Sequence, residues 1–432
     1  MADKLYQSLY QHYRKRILSG ELRAGERLPA IRRCCALFGV SKTTVELAYQ
    51  QLAAEGYVLP RPQSGYYVTA LTPLAARAVP PLPSSTPAAP PRFDLSSTSL
   101  DRDGFDFTLW QRYLKSALRS RERLLSYGEP QGEYDLRLAI SHYAAESRAV
   151  VCAPEQIVVG AGVQSLLHLL CALLPQREVA FVGDPFPRGE AIFRDHGLTC
   201  VEVGDNLRQI PSDSLIYAAP SHGTPLRPPM PVRRRTELLE LAARRRCLIL
   251  EDDYDSEFSF YGKPVPSLQS LDSGGQVLYV GTFSKLLLPS IRISFLVLPP
   301  ALCPQYQHIA PLYNQTASKT EQLALASFIR DGRLSLQIRK ARKHYLSKNQ
   351  RFSAALREAL PGSTLEENGG IFLLLRTKTA LTPEQLTARA AARGLRLSAP
   401  YASENSLSLL LSCSTVPAEQ LPDAAGLLAS CF

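Results

Sequence analysis

Residues 71–92, LTPLAARAVPPLPSSTPAAPPR, hold seven prolines and no periodic apolar face. Proline fixes φ and removes a backbone donor, so such a stretch extends as a semi-rigid spacer rather than joining a core. It predicts a divided chain: a head over 1–70, a Pro/Ala-rich linker over 71–92, and a third region over 93–432. A length of 432 residues agrees, because a single compact core rarely grows so large. At 45% hydrophobic and 20% charged residues, global disorder is excluded. No apolar run reaches the roughly 18 residues of a membrane span, and the opening Met1-Ala2-Asp3-Lys4-Leu5 has no apolar secretory core. The nine cysteines form no C-x-x-C pair, so reduced thiols in a cytoplasmic protein are expected, with no metal set and no membrane partner. Cys34 and Cys35 read as packing residues.

Charge is uneven along the chain. The net charge is +10, yet residues 1–70 hold ten basic and five acidic residues, half the excess in about a sixth of the length. An anionic partner for the head is implied. Within it, Leu5, Leu9, Tyr13 and Ile17 keep helical spacing up to Gly20. A second short helix follows over Pro29 to Phe38, and Gly39 breaks it. Ser41 caps a third helix whose buried face is Val45, Ala48, Tyr49 and Leu52. Two short runs, Tyr57-Val58-Leu59-Pro60-Arg61 and Ser64-Gly65-Tyr66-Tyr67-Val68, predict a hairpin. Three helices and a β-wing make a winged helix-turn-helix, with Ser41, Lys42, Thr43 and Thr44 at the groove-facing end and Arg61 and Gly65 on the wing.

The large region alternates apolar runs with helical stretches, for example around 157–159, 179–182, 247–250, 277–280 and 295–298. Nearly continuous apolar strands point to a mostly parallel sheet buried on both faces, whose ligands bind beyond the carboxyl ends of its strands. Three strand ends carry chemistry. Gly160-Ala161-Gly162-Val163-Gln164 offers backbone N–H groups at a helix start. Glu251-Asp252-Asp253-Tyr254-Asp255 clusters carboxylates. Gly281-Thr282-Phe283-Ser284-Lys285, with Arg292, sets an amine among hydroxyls. Together they supply what pyridoxal phosphate needs: an amine for its aldehyde, a carboxylate for its ring nitrogen, a phenol and a phosphate cup.

The head resembles the GntR family of bacterial repressors through Ile17-Leu18-Ser19-Gly20-Glu21-Leu22, Gly25-Glu26-Arg27-Leu28-Pro29, Gly39-Val40-Ser41-Lys42-Thr43-Thr44-Val45 and Ala54-Glu55-Gly56-Tyr57. That resemblance adds Arg32 to the DNA-facing residues. The rest is similar to fold-type-I aminotransferases, and the whole chain to the MocR/GabR regulators that fuse the two. The carrying segments are Tyr127-Gly128-Glu129-Pro130-Gln131-Gly132, Asp184-Pro185, Pro220-Ser221-His222, Glu251 through Phe258 and Gly281 through Lys285. The resemblance implies a large lobe over about 130–300 and a small α+β lobe over about 301–432. It implies Lys285 as Schiff-base lysine, Asp252 at the pyridinium nitrogen and Tyr254 at the 3′-oxygen. Val163, Gln164, Thr282, Ser284 and Arg292 would form the phosphate cup, Phe186 would stack on the ring, and Tyr127 would reach the phosphate from the partner of a domain-swapped homodimer.

Departures from that pattern bear on function. Gly223-Thr224-Pro225-Leu226-Arg227 replaces the family's Q-F-P-T-G-like run. Ser408 stands where aminotransferases clamp a substrate carboxylate with arginine, and a hydroxyl cannot replace a guanidinium fork. Arg396 and Arg188 are candidate substitutes. The expectation is a regulator that binds a double-stranded operator and senses a small molecule, with pyridoxal phosphate or another B6 vitamer favoured as the signal. The alternatives are a working aminotransferase with an accessory DNA-binding head and a degenerate domain that only dimerises.

Overall fold

The computed structural model describes residues 2–432 apart from 71–89, 98, 100, 102, 103, 184, 185, 223–228, 255, 259–264, 286, 368–370 and 404. Most of the proline-rich stretch, Asp184-Pro185, Asp255 and the departure at 223–227 therefore lie outside the described residues. The chain divides into two compact units, Met1–Ala88 and Ala89–Phe432.

The first unit has helices Ala2–Leu18, Ile31–Phe38 and Lys42–Ala54, then an antiparallel hairpin of Val58–Arg61 with Gly65–Val68. Leu9, Tyr13 and Ile17 meet Val45, Ala48, Tyr49, Leu52 and Val58 in one apolar core. Ser41 caps the third helix by accepting from the Thr44 N–H at 3.2 Å. Cys34 is buried in this core and Cys35 is half-buried.

In the second unit a seven-stranded sheet runs in the order Ile157–Gly160, Ser294–Val297, Val277–Thr282, Leu248–Asp253, Leu215–Ala218, Glu178–Val182 and Thr199–Gly204. All neighbouring pairs from Val277–Thr282 to Thr199–Gly204 are parallel, whereas Ser294–Val297 is antiparallel to both its neighbours. Both faces are covered, which is why its central strands are apolar throughout. Parallel order places several strand carboxyl ends along one edge, and the cavity described below opens there.

A second sheet orders Thr364–Glu366, Phe372–Lys378, Ser406–Ser412 and Tyr401–Ser403, with its own core built on Leu373, Leu375, Leu409 and Leu411. Two segments pack away from their neighbours in sequence. Phe93–Asp94 pairs in parallel with Leu395–Arg396, and Phe93 and Leu95 pack into the small-sheet core. Conversely, Leu323, Phe328, Leu334 and Tyr345 pack on the large sheet, so the helices Lys319–Arg330 and the start of Arg333–Ala359 serve that core. Apolar periodicity finds a helix but cannot say which core its buried face joins.

Candidate functional site

The carboxyl end of Leu248–Asp253 shows how strand alternation sorts the carboxylates. Glu251 turns away from the site and accepts from the Leu268 and Gln269 N–H groups at 2.8 and 2.9 Å. Asp253 pairs with Arg148 at 2.6 Å and accepts from the Tyr279 hydroxyl at 2.8 Å. Asp252, on the opposite face, accepts from the Tyr217 hydroxyl at 2.5 Å and faces a cavity of about 580 Å³. Among the described residues no group of three or more His, Cys, Asp or Glu is arranged for a metal.

Lys285, Tyr254, Asp252, Val163, Gln164, Thr282, Ser284, Arg292 and Phe186 all line that cavity. They come from four separate stretches of sequence. Lys285 Nζ stands 4.1 Å from the Tyr254 ring centre, and that ring lies 4.7 Å from the ring of His222. Phe186 stacks on Tyr217 at 5.4 Å and 21°.

One end of the cavity is a polar cradle. The helix Val163–Leu173 begins at Gly162 with no side-chain cap, so its first N–H groups point outward unspent. Gly162 has φ of +92°, and a Cβ there would stand 2.5 Å from Arg292 Nη2. Arg292 itself adopts φ of +52°, a left-handed conformation that is uncommon for a side-chain-bearing residue and gathers at functional sites. Thr282 is tied to Ser294 at 2.8 Å, and the Ser284 hydroxyl is buried with no hydrogen-bond partner among the described residues. N–H groups, hydroxyls and a guanidinium converging on a space that one methyl would fill suit a phosphate ester.

Tyr127 is not in the cavity: it is 99% exposed in the single chain. Arg396, the candidate substitute clamp, does not line this cavity: it is exposed and engages Asp94 at 3.3 Å. Ser408 is buried at the middle of its strand, opposite Arg376, whose guanidinium is held by Glu366 at 3.0 Å. Arg188 does line the cavity and makes no ion pair or hydrogen bond among the described residues. Sequence reasoning missed Tyr217, Asp205 and Arg234, also in the wall. Arg234 bonds the Asp205 carbonyl and Glu237. Only Tyr217 left a trace in sequence, as an aromatic near the end of an apolar run.

In the head, Arg32, Ser41, Lys42, Thr43 and Arg61 are exposed. Arg61 lies over the Tyr67 ring at 4.5 Å, and Gly65 packs at φ of +109° against Arg27. Thr44 needs correction. It is 6% exposed and its hydroxyl meets Ser41 Oγ at 2.8 Å, so it serves the helix cap and the core rather than an outside ligand.

Residues 5–68 match the family of bacterial regulatory proteins of the gntR type, and residues 230–425 match aminotransferase class I and II. The HTH-type transcriptional regulator YhdI of Bacillus subtilis is 37% identical over 91% of this chain and 87% of its own. The probable rhizopine catabolism regulatory protein MocR of Rhizobium meliloti is 35% identical over 91% and 86%. The pyridoxine biosynthesis transcriptional regulator PdxR of Corynebacterium glutamicum is 28% identical over 90% and 87%. Among solved structures, the α-aminoadipate aminotransferase LysN of Thermus thermophilus, complexed with N-(5′-phosphopyridoxyl)-L-leucine, superposes with a TM-score of 0.65 at 23% identity over 78% of this chain and 91% of that one.

Proposed function

The chain belongs to the GntR-type transcriptional regulators that carry an aminotransferase-like domain, and from that membership we propose that it binds pyridoxal phosphate and lets a small molecule at that site govern its hold on an operator. The observation that carries this reading is the convergence of Lys285, Asp252, Tyr254 and the Gly162–Arg292 cradle on one cavity.

The residues fit the cofactor in chemistry and in space. In this reading the cradle of Val163 and Gln164 N–H groups, Thr282, Ser284 and Arg292 holds the phosphate. Asp252, steadied by Tyr217, keeps the ring nitrogen protonated through its charge, and Tyr254 donates to the 3′-oxygen. Lys285 supplies the amine for the aldehyde, beside the aromatic faces of Tyr254 and His222. Pyridoxal phosphate, once bound, supplies an aldehyde that condenses reversibly with primary amines. Tyr127, bare in one chain, suits the reading in which a second copy of the chain covers it and completes the phosphate site.

Ser408 and the paired Arg396 leave the usual carboxylate clamp without a guanidinium, which favours a B6 vitamer itself as the signal. The likeness to PdxR supports the same choice. Arg188 supports a second reading, an amine with an acidic group as effector or as substrate of a surviving transaminase. The proposed setting is the cytoplasm, where operator DNA lies; among the described residues no helix is long and apolar enough to cross a membrane. Titrating pyridoxal phosphate into the operator complex tests the proposal. A change in DNA affinity supports a vitamer signal, and no change refutes it. Conversion of amino acids with turnover would establish the enzyme instead.

A further inference from the structure

The helix Arg333–Ala359 carries, between Arg333 and Arg357, eight Lys or Arg and no Asp or Glu. Residues 71–432 have a net charge of only +5. This one segment therefore holds more positive charge than the whole region's excess, and the remainder is acidic on balance.

Some of that charge is spent within the fold. Lys348 is buried against Asp101, and Arg357 pairs with Glu367 at 2.9 Å. The outer stripe is not neutralised. Arg339, Lys340 and Lys343 are exposed and make no ion pair or hydrogen bond among the described residues. Arg351, also exposed, donates to the Ala418 carbonyl at 3.0 Å. Ser347 and Gln350 lie exposed between them, while Ala341, Tyr345, Phe352 and Leu356 fill the buried face.

At a rise of 1.5 Å per residue, the stripe from Arg339 to Arg351 is about 18 Å long, roughly half a turn of B-DNA. Cations interleaved with a hydroxyl and an amide, at spacings that return to one helix face, match the donors that phosphates accept. No exposed aromatic or large apolar side chain accompanies them, so neither base stacking nor membrane insertion is provided for. We infer that the outer face of this helix is a second, sequence-independent DNA surface that grips the duplex backbone flanking the operator. The inference rests on the operator-binding reading above and extends it to the large domain.

The test uses full-length protein and two duplexes, the operator alone and the operator with about one extra helical turn on each side. For the wild type, the flanks tighten binding. For the combined variant Lys340→Gln, Lys343→Gln, Arg351→Gln that gain disappears. The slope of log affinity against log salt also becomes shallower by about 0.9 for each phosphate contact removed. The charge-conserving pair Lys340→Arg, Lys343→Arg keeps both effects, which separates charge from folding. A triple variant with the wild-type slope and flank dependence overturns the inference. So does a triple variant that loses only its binding to phosphatidylserine vesicles. A wild type that binds neither duplex overturns the operator reading beneath it.

Discussion

Tyr217 donates its hydroxyl to Asp252 Oδ2 at 2.5 Å from the neighbouring parallel strand. Burial, followed by the Asp252 charge, raises the Tyr217 phenol well above its ordinary range, so it stays a donor at any working pH. One strand thus fixes the carboxylate that the next strand delivers. Tyr217→Phe should weaken pyridoxal phosphate binding about 10- to 150-fold, the worth of one hydrogen bond to a charged group. Asp252→Asn, which removes the charge, should weaken it further. Titration of cofactor-free protein measures both, and an unchanged affinity for Tyr217→Phe would show that Asp252 needs no such support.

Gly162→Ala places a methyl 2.5 Å from Arg292 Nη2 and strains a backbone held at φ of +92°. The cradle should lose its preference for the phosphorylated cofactor, so that pyridoxal and pyridoxal phosphate bind with similar, weak affinities. Competition between the two ligands reads this out. A variant that still prefers the phosphate by the wild-type margin would move the phosphate site elsewhere.

In the head, Ser41→Ala removes a helix cap and should cost about 1 kcal/mol of stability. Lys42→Ala, at an exposed position, should leave melting unchanged while lowering operator affinity and reducing the salt slope by about 0.9. Thr44→Val should act on stability alone. A Thr44→Val protein that melts normally yet binds DNA poorly would restore Thr44 to the interface.

Burial pushes the Glu251 carboxyl up to about 7, with the Asp253 charge adding to the rise and the Leu268 and Gln269 N–H groups opposing it. Glu257 is raised too, again by burial first. A carboxyl raised in the folded state holds its proton more tightly there than in the unfolded chain. Between the ordinary carboxylate range and about 7, stability therefore falls as pH rises, and it levels off above. Melting temperature across pH 5 to 8 checks the sign, and Glu251→Gln should flatten the curve.

How far the sequence reaches depends on whether the deciding contact is local. Lys285 and the carboxylate cluster at 251–253 stand out in sequence because each closely follows an apolar run, where strand ends meet ligands, whereas the choice of Asp252 came from the family resemblance. Glu251 and Asp253 looked equivalent to Asp252 in composition, and only the two-residue alternation of the strand separates them. Thr44 read as exposed because helix starts usually are; its burial comes from the way the capped helix lies on the core. Asp205 and Arg234 entered the wall through long-range packing without a local signature.

The central claim is that Lys285 holds the cofactor in this cavity. Borohydride reduction of protein loaded with pyridoxal phosphate, followed by digestion and peptide mass mapping, tests it most directly. The account predicts one pyridoxyl label, on Lys285, and its loss together with the visible band in Lys285→Ala. A label on another lysine, or a Lys285→Ala protein that keeps the wild-type spectrum and labelling, would contradict it.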